Sequence, residues 1–142
     1  MYLFLGKELG WRPGDPGCYL DGKVDFARLA ATQAFKHGIE IALREAQTHV
    51  VAVICAEKEP LHCHRTLLVA RALVECCMQQ RDRAVKVVHI LADGNLETYE
   101  QSMERLVQLT GLGNSAAQSP ATYQELVAQA LALQEKRVGY VL

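Results

Sequence analysis

Apolar and polar positions along this chain fall into runs whose period predicts the elements. Val50 to Ile54 is a continuous, mostly β-branched apolar run, the pattern of a strand covered on both faces. Val85 to Leu91 repeats it, interrupted by Lys86 and His89, and Asp93-Gly94 closes it with a turn signal. Between them, from about Cys63 to Gln79, the chain is almost uniformly apolar, with Arg71 and Glu75 spaced as an i,i+4 pair. That stretch predicts a largely buried helix. Strand, helix and strand across residues 50–91 make a βαβ unit, whose right-handed crossover implies a parallel sheet.

The flanks extend the pattern. Tyr2 to Leu5 is a short apolar run that reads as a further strand. Gly10 to Gly22 carries four glycines, Pro13, Pro16 and two aspartates, and reads as an extended loop of the kind that often carries function. Thr32 is placed to cap a helix in which Phe35, Ile39, Ala42, Leu43 and Ala46 share one face. Asn95 is placed to cap another, with Tyr99, Met103, Leu106 and Val107 on one stripe and Gly111 as its stop. Gly113 to Gln118 reads as a linker, after which Ser119-Pro120 opens a helix carrying Tyr123, Leu126, Val127, Ala130 and Leu131. The expected architecture is α/β: one domain over residues 1–142, a small three-layer fold with a mostly parallel sheet flanked by helices and two C-terminal helices.

Composition narrows the class. A chain of 142 residues that is 50% hydrophobic suits a single core. Fifteen basic against sixteen acidic side chains leave a formal charge of −1, which lacks the basic field of a dedicated nucleic-acid coat. No apolar run approaches a membrane span and the start shows no signal-peptide pattern, so a cytoplasmic protein is expected. Five cysteines, with Cys76 and Cys77 adjacent in a predicted helix, read as reduced thiols rather than a disulfide framework.

The chemistry concentrates between Cys55 and Arg65, which enclose Glu57, Glu59, Pro60, His62, Cys63 and His64. Such a segment between a buried strand and a helix sits where open α/β sheets bind ligands. Cys55 or Cys63 is a candidate nucleophile, Glu57 or His64 a proton carrier, and Arg65 with Arg12 a holder of an anion. Cys55 read without function is a small apolar residue at a strand end, and Arg65 read the same way pairs with Glu57 or Glu59 to close the loop. Cys55, His62, Cys63 and His64 are also metal-ligand types, and since residues 62, 63 and 64 cannot easily all aim at one ion, a zinc or iron site of two or three of them, chiefly Cys55, Cys63 and His64, completed by His89 or Cys18 is the version that spacing allows. Arg12, Tyr19 and Asp21 could fold over the same crevice or be ordinary loop surface. There is no phosphatase cysteine-to-arginine spacing, glycine-rich phosphate loop or dinucleotide fingerprint.

Several blocks resemble the domain of unknown function 488 family of small bacterial and archaeal proteins. They are Leu9-Gly10-Trp11-Arg12-Pro13, Cys18-Tyr19-Leu20-Asp21-Gly22, Cys55-Ala56-Glu57 to Pro60 to Cys63-His64-Arg65, His89-Ile90-Leu91-Ala92-Asp93-Gly94 and Arg137-Val138-Gly139-Tyr140. The chain is similar to the C-terminal two-thirds or more of that domain, and relatives look as though they carry a further amino-terminal segment. The resemblance implies an α/β fold with the cysteine, histidine and arginine cluster as its site, and leaves the activity open. It also raises the expectation of a homodimer that covers a strand edge.

The functional expectation is an enzyme acting on a phosphate-containing small molecule or nucleotide. Its alternatives are a non-catalytic nucleic-acid-binding or regulatory module and a metal-stabilised structural protein.

Overall fold

The computed structural model describes residues 2–79, 85–114 and 120–141. It overturns the expected parallel sheet. About 60% of it is helical, and its strands form two small antiparallel pairs with no βαβ unit among the described residues. The run Val50–Ile54 is irregular and exposed: Val50 is 104% exposed and Ile54 85%. Tyr2, Leu3 and Phe4 are likewise exposed and irregular, where a strand was expected. The physical reason is the absence of a partner. A continuous apolar run takes up a ladder only when neighbouring strands satisfy its amides, and no described segment pairs with this one.

From the amino terminus, α1 (Gly6–Leu9) docks on α3 (Gln33–Ala46). The approach is close at Gly38, where a Cβ would lie 2.7 Å from Glu8 Cβ and 2.8 Å from Leu9 Cδ2, so a side chain there would push the helices apart. The expected loop contains a hairpin of β1 (Tyr19–Leu20) and β2 (Lys23–Val24). Asp21 and Gly22 turn it with φ of 50° and 76°, the left-handed pair that a tight hairpin needs. Asp25 caps α2 (Phe26–Ala31), and Thr32 caps α3 as its spacing predicts.

The 60–79 region opens with a 3-10 turn, Pro60–His62, and continues through a π-helical segment, Arg65–Ala70, into α4 (Arg71–Gln79). Thr66 to Ala70 are buried, and Arg71 Nε donates to Glu75 at 2.8 Å. The second apolar run shortens to β3 (Val88–Ile90), which pairs with β4 (Leu96–Thr98) across the Asp93-Gly94 turn. The cap of α5 (Tyr99–Leu109) is Thr98 rather than Asn95. Thr98 and Gln101 bond each other's backbone amides, and Gly111 at φ 79° ends the helix region. α6 (Pro120–Val138) packs on α5, and the Ser119 cap lies outside the described residues. Phe35, Leu61, Leu67, Val69, Leu106 and Leu131 anchor one core shared by α3, the 60–79 region, α5 and α6. No described helix is long and apolar enough to cross a membrane.

A polar clamp ties the 55–65 segment to this core. Arg105 of α5 donates through Nη2 to Glu59 Oε1 at 2.8 Å and grips Glu97 with Nε and Nη2 at 2.8 and 2.9 Å. Ser102 adds a 2.7 Å bond to Glu97, and Glu59 also accepts from the Leu61 amide at 3.1 Å. Hydrogen bonding to Arg105, chiefly, holds the Glu97 carboxyl below the usual range. For Glu59, burial pulls the other way, but the Leu61 amide and Arg105 outweigh it.

Both carboxyls are depressed, so the unfolded chain binds their protons first on acidification, and stability falls as pH drops through the glutamate range. Arg105→Ala is expected to cost about 1–3 kcal/mol at neutral pH, because Glu97 is left buried without its cation. It should also flatten the acid limb. Urea unfolding at several pH values measures both, and an unchanged midpoint would show that the clamp contributes nothing.

Candidate functional site

The 3-10 turn delivers the chemistry. Glu59 caps it, Gln134 Nε2 of α6 donates to Leu61 O at 2.8 Å, and the chain then turns at Cys63 into the π-helical segment. Cys63 is fully buried and Cys55 is partly exposed, and their sulfurs lie 2.8 Å apart. The Arg65 amide donates to Cys63 Sγ at 3.3 Å, and His64 Nδ1 lies 3.9 Å from the same sulfur. Burial above all, then the bond to Cys55, pushes the Cys63 thiol up to about 12. Cys63 therefore keeps its proton. It serves as a hydrogen-bonding neighbour, and the accessible sulfur is Cys55.

His64 is pushed down to about 4, first by burial and then by the Arg65 charge, so it is a neutral imidazole near pH 7. Its ring stacks on Trp11 at 5.4 Å with an interplanar angle of 6°. Trp11 in turn meets Tyr140 at 6.1 Å, and the Arg12 guanidinium lies 4.5 Å over the Tyr140 ring. Arg12 thus belongs to an aromatic stack beside the site, and no described contact joins it to the thiols.

Arg65 does not close the loop on a carboxylate. Its Nη2 reaches the Glu57 carbonyl at a long 3.5 Å, Glu59 is taken by Arg105, and no ion pair of Arg65 occurs among the described residues. Cys55, His64 and Arg65 line an open cavity of about 630 Å³, walled by Tyr2–Leu5 and Val50–Ile54. Glu57 lines a different cavity of about 460 Å³ together with Trp11, which places the Trp11–His64 stack between the two. The site therefore lies at a loop-to-helix junction rather than at a strand end.

The remaining candidates separate. Cys18 is in the core at 1% exposure, Tyr19 donates from its hydroxyl to Pro13 O at 2.9 Å, and Asp21 is a turn residue. His89 is buried with Nε2 unpartnered and is pushed down by burial first and Arg65 next. Among the described residues no group of three His, Cys, Asp or Glu could hold a metal ion. Sequence reasoning missed Arg105, Gln134 and the role of Trp11. Trp11 carried a signal as the sole tryptophan in a glycine-rich loop, whereas nothing local marks Arg105, which is 46 positions from Glu59.

The family model described as Domain of unknown function DUF488 matches residues 7–72. No curated protein and no solved structure matches the chain.

Three outcomes follow from this geometry. Mild oxidation should give a reversible Cys55–Cys63 crosslink in peptide mass spectra, because sulfurs in contact need to close only to about 2.05 Å. Iodoacetamide should modify Cys55 first, and Cys63 alkylated as fast would contradict the burial. The fluorescence of Trp11, the sole tryptophan, should fall as the stacked His64 acquires its proton near pH 4, since imidazolium quenches indole. Because folding depresses this histidine, the unfolded chain takes the proton first, and stability declines from about pH 6.5 downward. A fluorescence transition centred near pH 6.5 would show that the ring is not buried as described.

Proposed function

We propose that this chain, whose residues 7–72 match the DUF488 family model, is an enzyme that acts on a phosphate-containing small molecule or nucleotide in the larger cavity. The observation that carries this reading is an accessible thiol lining the same cavity as a guanidinium with no carboxylate partner among the described residues. An unneutralised cation at a cavity mouth favours an anionic ligand, and a guanidinium matches the oxygens of a phosphoryl group in a two-pronged fashion. The Cys55 sulfur attacks phosphorus, forming an S–P bond as the P–O bond to the leaving group breaks. The thiol gives its proton to solvent in the open cavity and the departing oxygen takes one from it; water then attacks phosphorus, breaking the S–P bond to release phosphate and restore the thiol.

Cys63 supports the nucleophile as a protonated neighbour. Arg65 holds the phosphoryl oxygens, and the apolar walls carry the remainder of the substrate. The 630 Å³ volume falls within the range typical of small-molecule sites.

The test is turnover of para-nitrophenyl phosphate and a panel of nucleotides by the wild type, Cys55→Ser and Arg65→Gln. Cys55→Ser is expected to lower kcat by about 100-fold or more without lowering the melting temperature, and Arg65→Gln to raise KM. Turnover at the wild-type rate in Cys55→Ser removes the proposed role. A large loss of stability in both variants with no change in ligand response points to scaffold instead.

A further inference from the structure

The Cys55 and Cys63 sulfurs are in contact at 2.8 Å, yet the two residues sit in opposite surroundings. Cys63 is 0% exposed and is fixed by its own backbone: its amide donates to Pro60 O at 3.1 Å, and its carbonyl accepts from the Thr66 and Leu67 amides at 3.0 and 3.1 Å. Cys55 follows an irregular run in which Val53 and Ile54 are exposed, and it lines the open cavity of about 630 Å³. An oxidant entering that cavity therefore meets Cys55 and not Cys63. Closing the sulfurs to a bonded separation of about 2.05 Å asks for a small shift, and the 50–54 run, which has no ladder partner among the described residues, is free to make it while Cys63 stays in place.

We propose that this pair is a reversible redox switch on the candidate site, with a hydroperoxide as its oxidant and small thiols as its reductant. What it switches rests on the phosphoryl-transfer reading above; the formation of the bond does not. The peroxide O–O bond breaks as an S–O bond forms at Cys55, which leaves a sulfenic acid there and sends the thiol proton to the departing oxygen. The Cys63 sulfur then attacks the Cys55 sulfur: the S–S bond forms, the S–O bond breaks, and hydroxide leaves as water with the Cys63 proton. The two thiols have together lost two electrons, and Cys55 can no longer attack phosphorus. An incoming thiol reopens the bond at the accessible sulfur, that of Cys55, and Cys63 leaves next to the Arg65 amide that donates to its sulfur at 3.3 Å. A second thiol frees Cys55 and departs as its own disulfide. Resolution by Cys63 also stops Cys55 short of sulfinic acid, which thiols do not reverse.

Mass spectrometry and iodoacetamide labelling of the full chain, treated with hydrogen peroxide and then with dithiothreitol or glutathione, test the proposal. The wild type is expected to lose two hydrogens in a link between Cys55 and Cys63 and to regain an alkylatable Cys55 in full after dithiothreitol. Cys63→Ser is expected to gain oxygens on Cys55 that dithiothreitol does not remove. Glutathione trapped during reopening should sit on Cys55. Wild-type protein that gains irreversible oxygens on Cys55 as fast as Cys63→Ser does, or that links Cys55 between two molecules, overturns the proposal, as does glutathione found on Cys63. If Cys63→Ser fails to fold, the wild type decides alone: incomplete recovery of Cys55 after dithiothreitol overturns the switch. Turnover of para-nitrophenyl phosphate stopped by peroxide and restored by dithiothreitol ties the switch to the site. A reduced wild type without turnover defeats the phosphoryl-transfer reading, while the link read by mass still upholds the thiol pair.

Discussion

Arg105 makes the arrangement possible. One guanidinium spans Glu97 on the short β3–β4 ribbon and Glu59 at the head of the reactive segment, and so fixes a loop that has no strand to support it. A loop with this many polar groups would otherwise be solvated and mobile, and its cysteines would have no defined neighbours. The Gln134 bond to Leu61 adds a second fixed point from α6. Together they hold Cys63 in the core while Cys55, eight positions earlier, stays at the surface.

The two thiols are in contact but differ in role because burial separates them. A buried sulfur cannot gain charge cheaply, so Cys63 remains protonated, whereas Cys55 meets solvent and a cavity. The same logic applies to His64: a ring stacked on Trp11 beside Arg65 stays neutral, so it neither takes up a proton readily near pH 7 nor binds an anion by charge. Anion binding therefore falls to Arg65. The electrostatic division of labour follows from where the 3-10 turn ends and the π-helical segment begins.

Local signals were legible and pairing was not. The Thr32 cap, the α3 stripe, the Asp93-Gly94 turn and the α5 and α6 faces all follow from short-range chemistry, and the structure has them; of the run after Cys63 only Thr66 to Ala70 are buried as a block, and α4 is mostly half-buried or exposed. Val50–Ile54 has the composition of a buried strand, but a strand is a statement about neighbours. With no partner among the described residues it stays irregular and exposed, and the parallel sheet inferred from it is absent from the described residues. Within the site, Cys55, His64 and the Arg65 amide all meet Cys63, as closeness in sequence allows. Arg12 was too far along the chain to be placed by spacing, and it went to Tyr140. Glu57 was near in sequence but lines the other cavity, because the loop turns between it and Cys55.

The aromatic stack of Trp11 and His64 lies between an apolar cavity lined by the Cys55 thiol and a more polar one lined by Glu57 and Arg137. Everything functional in this account requires that the first of them receive an anion. The most direct measurement is a crystal structure of the protein soaked with tungstate, a heavy phosphate mimic. The account predicts density at the cavity mouth in contact with the Arg65 guanidinium and within reach of Cys55 Sγ. Tungstate absent there at saturating concentration, with Arg65 turned onto a carboxylate, would contradict it.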